Sequence, residues 1–346
     1  MSNTKRFVFL LLAPLLYAAV LPARQNTPST PSPASRIYLD VVVTPKSGPP
    51  VANLQQQDFV LLDNKTPQPT TSFRAFGGSG EPIEIVLVID AVNTSYQNLA
   101  YQRDEIDKFL RAKGGHLTQP TALAFFTDTG TQMQQGFSTD GNAISASFDQ
   151  QVIGLRTIHR NSQFGGSERF SLSTNALREI AGHEADHPGR KMIFWISPGW
   201  PLLSGPGIEL DSKQQNQLFG TIVGLSTYLR QSRITLYSID PLGTGEGLGR
   251  TFYYEEYLKG VSKASRVVVG NLGLQVIAAQ SGGLALSSSN DISSLLQQCL
   301  ADTLAYYTIS FDSSPADHRD EYHSLEIRLS KPGLTARTRQ GYYAQP

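Results

Sequence analysis

Residues 83–95 read IEIVLVIDAVNTS, an apolar run interrupted only by Glu84 that ends in Asp90 and passes into a polar loop. A near-continuous run of Val, Ile and Leu suits a parallel strand buried on both faces; a strand with one wet face would alternate. Past the loop, Leu99, Ile106, Phe109 and Leu110 recur at helical spacing. A buried strand therefore ends in a carboxylate and hands the chain to a helix. In open α/β sheets, ligands bind outside the carboxyl ends of the strands, near the point where the strand order switches. Asp90 is the first candidate for a functional residue.

Outward from this stretch the texture repeats. Strand-like runs IEIVLVID, TALAFFTD, KMIFWISP and ITLYSIDP, with a shorter LALSSS, alternate with helical patterns near 96–113, 140–155, 168–186, 211–231, 271–281 and 291–304. The alternation predicts an α/β domain over residues 80–304, a doubly wound and mostly parallel sheet with helices on both faces. The flanks are β in character. IYLDVVVTP, DFVLLDN and TTSFRAF fall in 37–79, and AYYTISFD, EYHSLEIRLS and LTARTRQGYYA in 305–346. Three strands leave one apolar face uncovered, so a small β-sandwich built from both chain ends is expected, with the α/β domain inserted into it. Residues 242–270, rich in Gly and Tyr, are expected as a surface excursion near the ligand-facing edge.

Composition narrows the function classes. The 346 residues carry 29 Lys and Arg against 29 Asp and Glu, a formal net charge of +0, with no long run of either sign. That leaves no electrostatic footprint for nucleic acid or an anionic membrane. Lys5-Arg6 precedes an apolar stretch from Phe7 to Val20, which predicts a signal peptide over 1–23 and a Pro/Ser/Thr linker over 24–36. The 14-residue stretch is short of the ~18–20 that a spanning helix needs. Membrane contact is expected only through this segment if it stays uncleaved. The mature chain is expected in the periplasm, at the cell surface or secreted. With Cys299 alone there is no internal disulfide, and an exported chain must hold itself together by its core. Ile292, Leu295, Leu296, Cys299 and Leu300 share one helical face, so the thiol is expected to act as a small buried hydrophobe.

His183-Glu184-Ala185-Asp186-His187 fits H-E-x-x-H. On a continuous helix that spacing puts two imidazoles on one face to hold zinc, with the Glu as general base. Here Pro188-Gly189 follows at once, and the residue before a proline is pushed out of the helical region. Asp186 adds a charge, and no third ligand stands close downstream. The stretch is expected as a polar helix end leading into the strand at Lys191, with a metal-dependent hydrolase as the alternative. A serine hydrolase is disfavoured: no G-x-S-x-G elbow occurs, and Ser197 is followed by a proline without an N–H. GTGEGLG does not lead directly into a helix, whose N-terminus would give such a loop its grip on phosphate.

Asp90, Asn93, Thr94 and Ser95 place several oxygens close together, and Ser167, after Gly165-Gly166, and Ser197 could add more. Oxygen sets of this kind suit a hard divalent cation. The Asp-terminated strand, the alternation after it and FGGS resemble the von Willebrand factor A domain. The flanking VVVTPKSGPPVANLQQQDFVLLDN and HSLEIRLSKPGLTARTRQGYYA are similar to bacterial exported VWFA-related proteins, in which such strands bracket that domain. The resemblance implies a metal-ion-dependent adhesion site, D-x-S-x-S, at Asp90, Val92 and Thr94, with its second-loop threonine matched by Ser167 and its later aspartate replaced by Pro198. The site it implies is therefore vestigial, built from Asp90, Asn93, Thr94 and Ser167. No cofactor is required, and Mg2+ or Mn2+ would bind weakly. The expected function is a non-catalytic interaction module for a protein or glycan partner, contacting it through Ser197, Trp200, Tyr253 and Tyr254, since Trp and Tyr favour interface anchors. A purely structural envelope component is the other alternative.

Overall fold

Residues 36–77, 83–149, 163–201, 209–242 and 253–345 are described by the structure, a computed structural model. The expected signal segment and residues 24–35 of the linker lie outside them. The chain enters through four strands, β1 (Arg36–Pro45), β2 (Phe59–Asp63), β3 (Thr66–Gln68) and β4 (Ser72–Gly77). It continues into β5 (Glu84–Asp90), α1 (Tyr96–Arg111) and β6 (His116–Thr127). Two short strands follow, β7 (Gly130–Met133) and β8 (Ser138–Asp140), then α2 (Gly141–Asp149) and α3 (Gln163–Ala185). β9 (Lys191–Ile196), α4 (Ser212–Gln231), β10 (Ile234–Ile239), α5 (Leu274–Gln280), β11 (Ala285–Leu286) and α6 (Ile292–Leu300) complete the alternation.

β11, β10, β9, β5 and β6 lie side by side in that order, all parallel. The chain places β6 on one side of β5 and β9 on the other, so the order reverses at β5, and Asp90 ends the strand at that switch point. Both faces of β5 are covered, which is why its sequence shows no alternation. Ile85, Leu87 and Ile89 meet Leu99, Ile106 and Phe109 of α1 and Cys299 of α6 in one apolar cluster. Val86 and Val88 join Leu177 and Ile180 of α3, Leu225 of α4 and Ile277 of α5 in a second. Each such buried side chain contributes about 1.5–3 kcal/mol. Cys299 is fully buried in the first cluster, as expected, and burial pushes its thiol pKa well up. The antiparallel β7 and β8, both paired with β6, were not foreseeable: GTQM and STD are short, polar edge strands without apolar alternation.

The last strands are β12 (Ala305–Asp312), β13 (Glu321–Leu329), β14 (Leu334–Arg337) and β15 (Gly341–Ala344). Two four-stranded sheets result, β14-β1-β12-β4 and β15-β13-β2-β3, each drawing strands from both ends of the chain. Leu39, Val41 and Phe311 from the first share a buried cluster with Leu61, Ile327 and Tyr342 from the second. LTARTRQGYYA, expected as one strand, divides between the two sheets. The break at 338–340 turns against the end of α5: Gln340 N donates to Gln280 O at 3.1 Å. Gly282, at φ +92, lies so close that a Cβ there would stand 2.8 Å from the backbone of Thr338.

The described part of the expected surface excursion at 242–270 is largely exposed or half-buried, and a few apolar side chains anchor it. Val261, Val267 and Val269 are buried, and the Tyr343 hydroxyl donates to Val261 O at 3.1 Å. This segment packs between α4 and the terminal strands; residues 243–252 lie outside the described residues.

A buried polar knot joins the parallel sheet to the terminal strands. The Tyr237 hydroxyl donates to Asp302 Oδ2 at 2.5 Å, Arg337 binds the same oxygen, and Arg190 donates to Asp302 O at 3.0 Å. Replacing Asp302 by Ala leaves the Arg337 guanidinium without its anion. Removing one partner of a buried pair costs about 3–5 kcal/mol, to be read from urea unfolding of Asp302→Ala. The double variant Asp302→Ala/Arg337→Met should recover part of that loss.

Candidate functional site

At the carboxyl end of β5 the Asp90 carboxylate is fully buried. Its Oδ1 accepts from the backbone N–H groups of Val92 at 3.0 Å and Asn93 at 2.8 Å. Its Oδ2 accepts from Asn93 Nδ2 at 2.8 Å and from the indole of Trp195, on neighbouring β9, at 3.1 Å. Asn93 Nδ2 also donates to Ser173 Oγ on α3 at 2.9 Å. The loop is thereby tied to both the next strand and the facing helix. Ser95 closes it as the N-cap of α1, accepting from Asn98 N at 3.2 Å.

Burial pushes the Asp90 carboxyl above the usual carboxylate range, and hydrogen bonds from Asn93, Trp195 and Ser197 oppose that rise. The donors bear directly on whether a cation fits. Both carboxylate oxygens already receive two N–H groups each. Thr94 Oγ1 faces Gln102 Nε2 at 3.3 Å. Ser167 lies within α3 and is exposed, since the helix begins at Gln163, ahead of the FGGS expected to precede it. A cation would need these oxygens turned to one point. As they stand they are turned to N–H donors, the Trp195 indole among them.

The expected partner-contact residues are scattered by the fold. Ser197 and Trp200 are buried, at 0% and 4% exposure, and offer no surface to a partner. Gly199, at φ +103, turns the chain back after β9, and Trp200 meets Trp195 edge-on with ring centroids 5.4 Å apart. Tyr254 is half-buried beside Glu255; the Tyr253 side chain lies outside the described residues. The aromatic that does face solvent here is Tyr96, 72% exposed in the first turn of α1. Its signal in the sequence was its place beside the N-cap Ser95 and off the apolar stripe of the helix. Ser173 was missed too. It continues the stripe Ala176, Leu177, Ile180 and Ala181 by one turn, and all five are buried.

Glu184 lies on that same stripe and is fully buried, so HEADH is more than a polar helix end. His183 Nδ1 and Glu184 Oε1 are 3.0 Å apart, and His187 Nδ1 is 3.0 Å from Glu84 Oε2 and 3.6 Å from Glu184 Oε2. Because α3 ends at Ala185, His187 leaves the helix and turns toward the start of β5. The hydrolase arrangement needs His183 and His187 together on a metal, with Glu184 free as base. Here His183 is engaged with Glu184 itself. The two clusters stand at opposite ends of β5.

No family model matches the chain, and no curated protein does. Among solved structures, the manganese-loaded TRAP protein of Plasmodium vivax aligns at 11% identity and TM-score 0.35, over 77% of this chain and 96% of that one. The SpRpn10 VWA domain aligns at 12% and 0.31, over 64% and 97%. The pilus adhesin SpaC from Lactobacillus rhamnosus GG aligns at 10% and 0.36, over 85% and 49%. At these values the likenesses carry no argument about ions or partners, and the reading rests on the chain's own sheet order and side chains.

Two outcomes test the Asp90 loop. Asp90→Ala strands buried N–H donors, each costing about 1–3 kcal/mol, so urea unfolding should show a loss of about 3 kcal/mol or more. The pH dependence has a fixed sign. The folded state holds the Asp90 proton more tightly than the unfolded chain, whose value is near 3.8. This carboxyl's contribution is therefore fully present below about pH 3.8 and lost as pH rises through the raised folded value. The stability of the parent relative to Asp90→Asn, which cannot ionise, should fall as the pH is taken from 3.8 toward neutrality.

Proposed function

We propose that the chain is a non-catalytic, exported interaction module of von Willebrand A type that presents the start of α1, at Tyr96, to a protein partner without a metal ion, with the buried Asp90 loop as its support. The supporting observation is the pairing of a fixed loop with an exposed aromatic. Asp90 is held by its own amides and by Trp195, and Tyr96 stands 72% exposed one residue past the N-cap. A rigid scaffold that projects an aromatic loses little side-chain entropy on binding, which favours such residues as anchors. In this reading residues 80–304 form the binding domain and 37–79 with 305–346 form a β-sandwich that carries it. Residues 1–23 direct export and 24–36 serve as spacer. Mg2+ and Mn2+ are dispensable, and a glycan is the alternative partner.

Tyr96 and Val60, both exposed, can each be replaced by a photo-crosslinking amino acid in the full chain, expressed in its source cells. The expected result is a discrete crosslinked protein from position 96, unchanged by EDTA and absent from position 60. Loss of the crosslink in EDTA would restore a cation to the Asp90 loop. Crosslinking from position 60 alone would move the contact to the terminal sheets.

A further inference from the structure

We infer a zinc-class divalent cation site at the amino-terminal edge of the parallel sheet, formed by Glu84, Glu184 and His187. The site is independent of the Asp90 loop and of the interaction reading. Glu84 opens β5, Glu184 closes the buried stripe of α3, and His187 follows where the chain leaves that helix. One ligand atom from each lies within 4.8 Å of the others. Tetrahedral zinc at about 2.0–2.1 Å from its ligands sets them roughly 3.3–3.4 Å apart. The observed separations from His187 Nδ1, 3.0 Å to Glu84 Oε2 and 3.6 Å to Glu184 Oε2, bracket that edge.

A second observation points to a ligand. Glu184 is fully buried, and its Oε2 has no hydrogen-bond partner. A buried carboxylate oxygen left bare is costly, and this one is aimed at the imidazole across the gap. The other oxygen, Oε1, faces His183 Nδ1 at 3.0 Å, the outer contact that orients carboxylate ligands in metal sites. The resident cation, Lys191, begins β9 beside Glu84 and turns its ammonium to His187 O. That geometry leaves Glu184 Oε2 open. Imidazole with two carboxylates is a donor set that suits zinc. Glu84 and His187 are partly exposed, at 25% and 35%, so a cation can enter and a water can take the fourth position. The cation would pin the end of α3 to the start of β5, a bridging role with no turnover.

The test uses the full mature chain, stripped with a chelator and titrated with zinc and with cobalt. Zinc should raise the thermal midpoint, and cobalt should give a one-to-one tetrahedral visible absorption. Glu84→Gln and His187→Ala should each weaken cobalt binding by at least about tenfold, and His183→Ala by about 10–100-fold. His318→Ala, an exposed histidine elsewhere, should leave binding unchanged. X-ray absorption of the zinc-loaded parent, which needs no variant to fold, should show a single imidazole with oxygen ligands. Absence of stoichiometric cobalt binding would overturn the site. So would binding that survives in both Glu84→Gln and His187→Ala, or a spectrum with sulfur or several imidazoles.

Discussion

A carboxylate wholly removed from water, balanced by N–H donors, is the constraint around which the upper end of the sheet is arranged. Asp90 ends a strand buried on both faces, and the solvation it loses has to be returned by its surroundings. Two backbone amides, the Asn93 side chain and the Trp195 indole return it. Each donor belongs to a different packing problem. The amides set the loop, Trp195 fixes β9 beside β5, and Asn93 reaches α3 through Ser173. A buried network that satisfies both oxygens of Asp90 favours one arrangement over its neighbours. It spans the point where strand order reverses, so the switch point is held by the same contacts.

Much of this could be read from residue order, because the parallel sheet is written in local patterns. The unbroken apolar run of β5, the helical stripe of α1 and the Cys299 face of α6 each follow from a few adjacent positions. Asp211 before α4 is a similar case: it caps the helix and forms a capping box with Gln214. What stayed illegible depends on distant pairs. Nothing near Trp195 says that its indole reaches an aspartate 105 positions away. Glu84 and His187 are separated by 103, and neither sits in a pattern that names the other. Glu184 could have been placed sooner, since it keeps the spacing of Ala176, Leu177, Ile180 and Ala181. HEADH reads as a polar helix end only while that spacing is left out. Ser167 and Trp200 failed for a different reason. A helix that starts early and a left-handed turn at Gly199 each move a side chain by one structural layer.

β5 also sets the distance between the two ends of the sheet. From Glu84 to Asp90 the strand spans roughly 20 Å at about 3.3 Å per residue. Apolar residues fill everything between. A cluster of carboxylates and imidazole at one end and a carboxylate saturated by N–H groups at the other therefore act through separate surroundings. The polar knot around Asp302 lies on neither strand end of β5. It joins β10 to the turn after α6 and to β14, and so couples the parallel sheet to the terminal strands by charge as well as by packing.

The two terminal sheets impose an order in time. β1 pairs with β12, with Arg36 opposite Asp312, and the two residues are 276 positions apart. At about 5–20 residues per second of synthesis, β1 waits roughly 15–55 seconds for that partner. Through that interval Leu39, Val41 and Val43, destined for the core, have no sheet to cover them. Contacts of such separation also slow folding, because the loop must close before they can form. The parallel sheet between them shortens the wait in space if not in time: the segments that enter and leave it lie side by side, Gly77 opposite Ala305, and bring the early and late strands together. Nascent chains halted just before Ala305 would then hold a finished centre between unpaired edges, the state in which a chaperone has most to do.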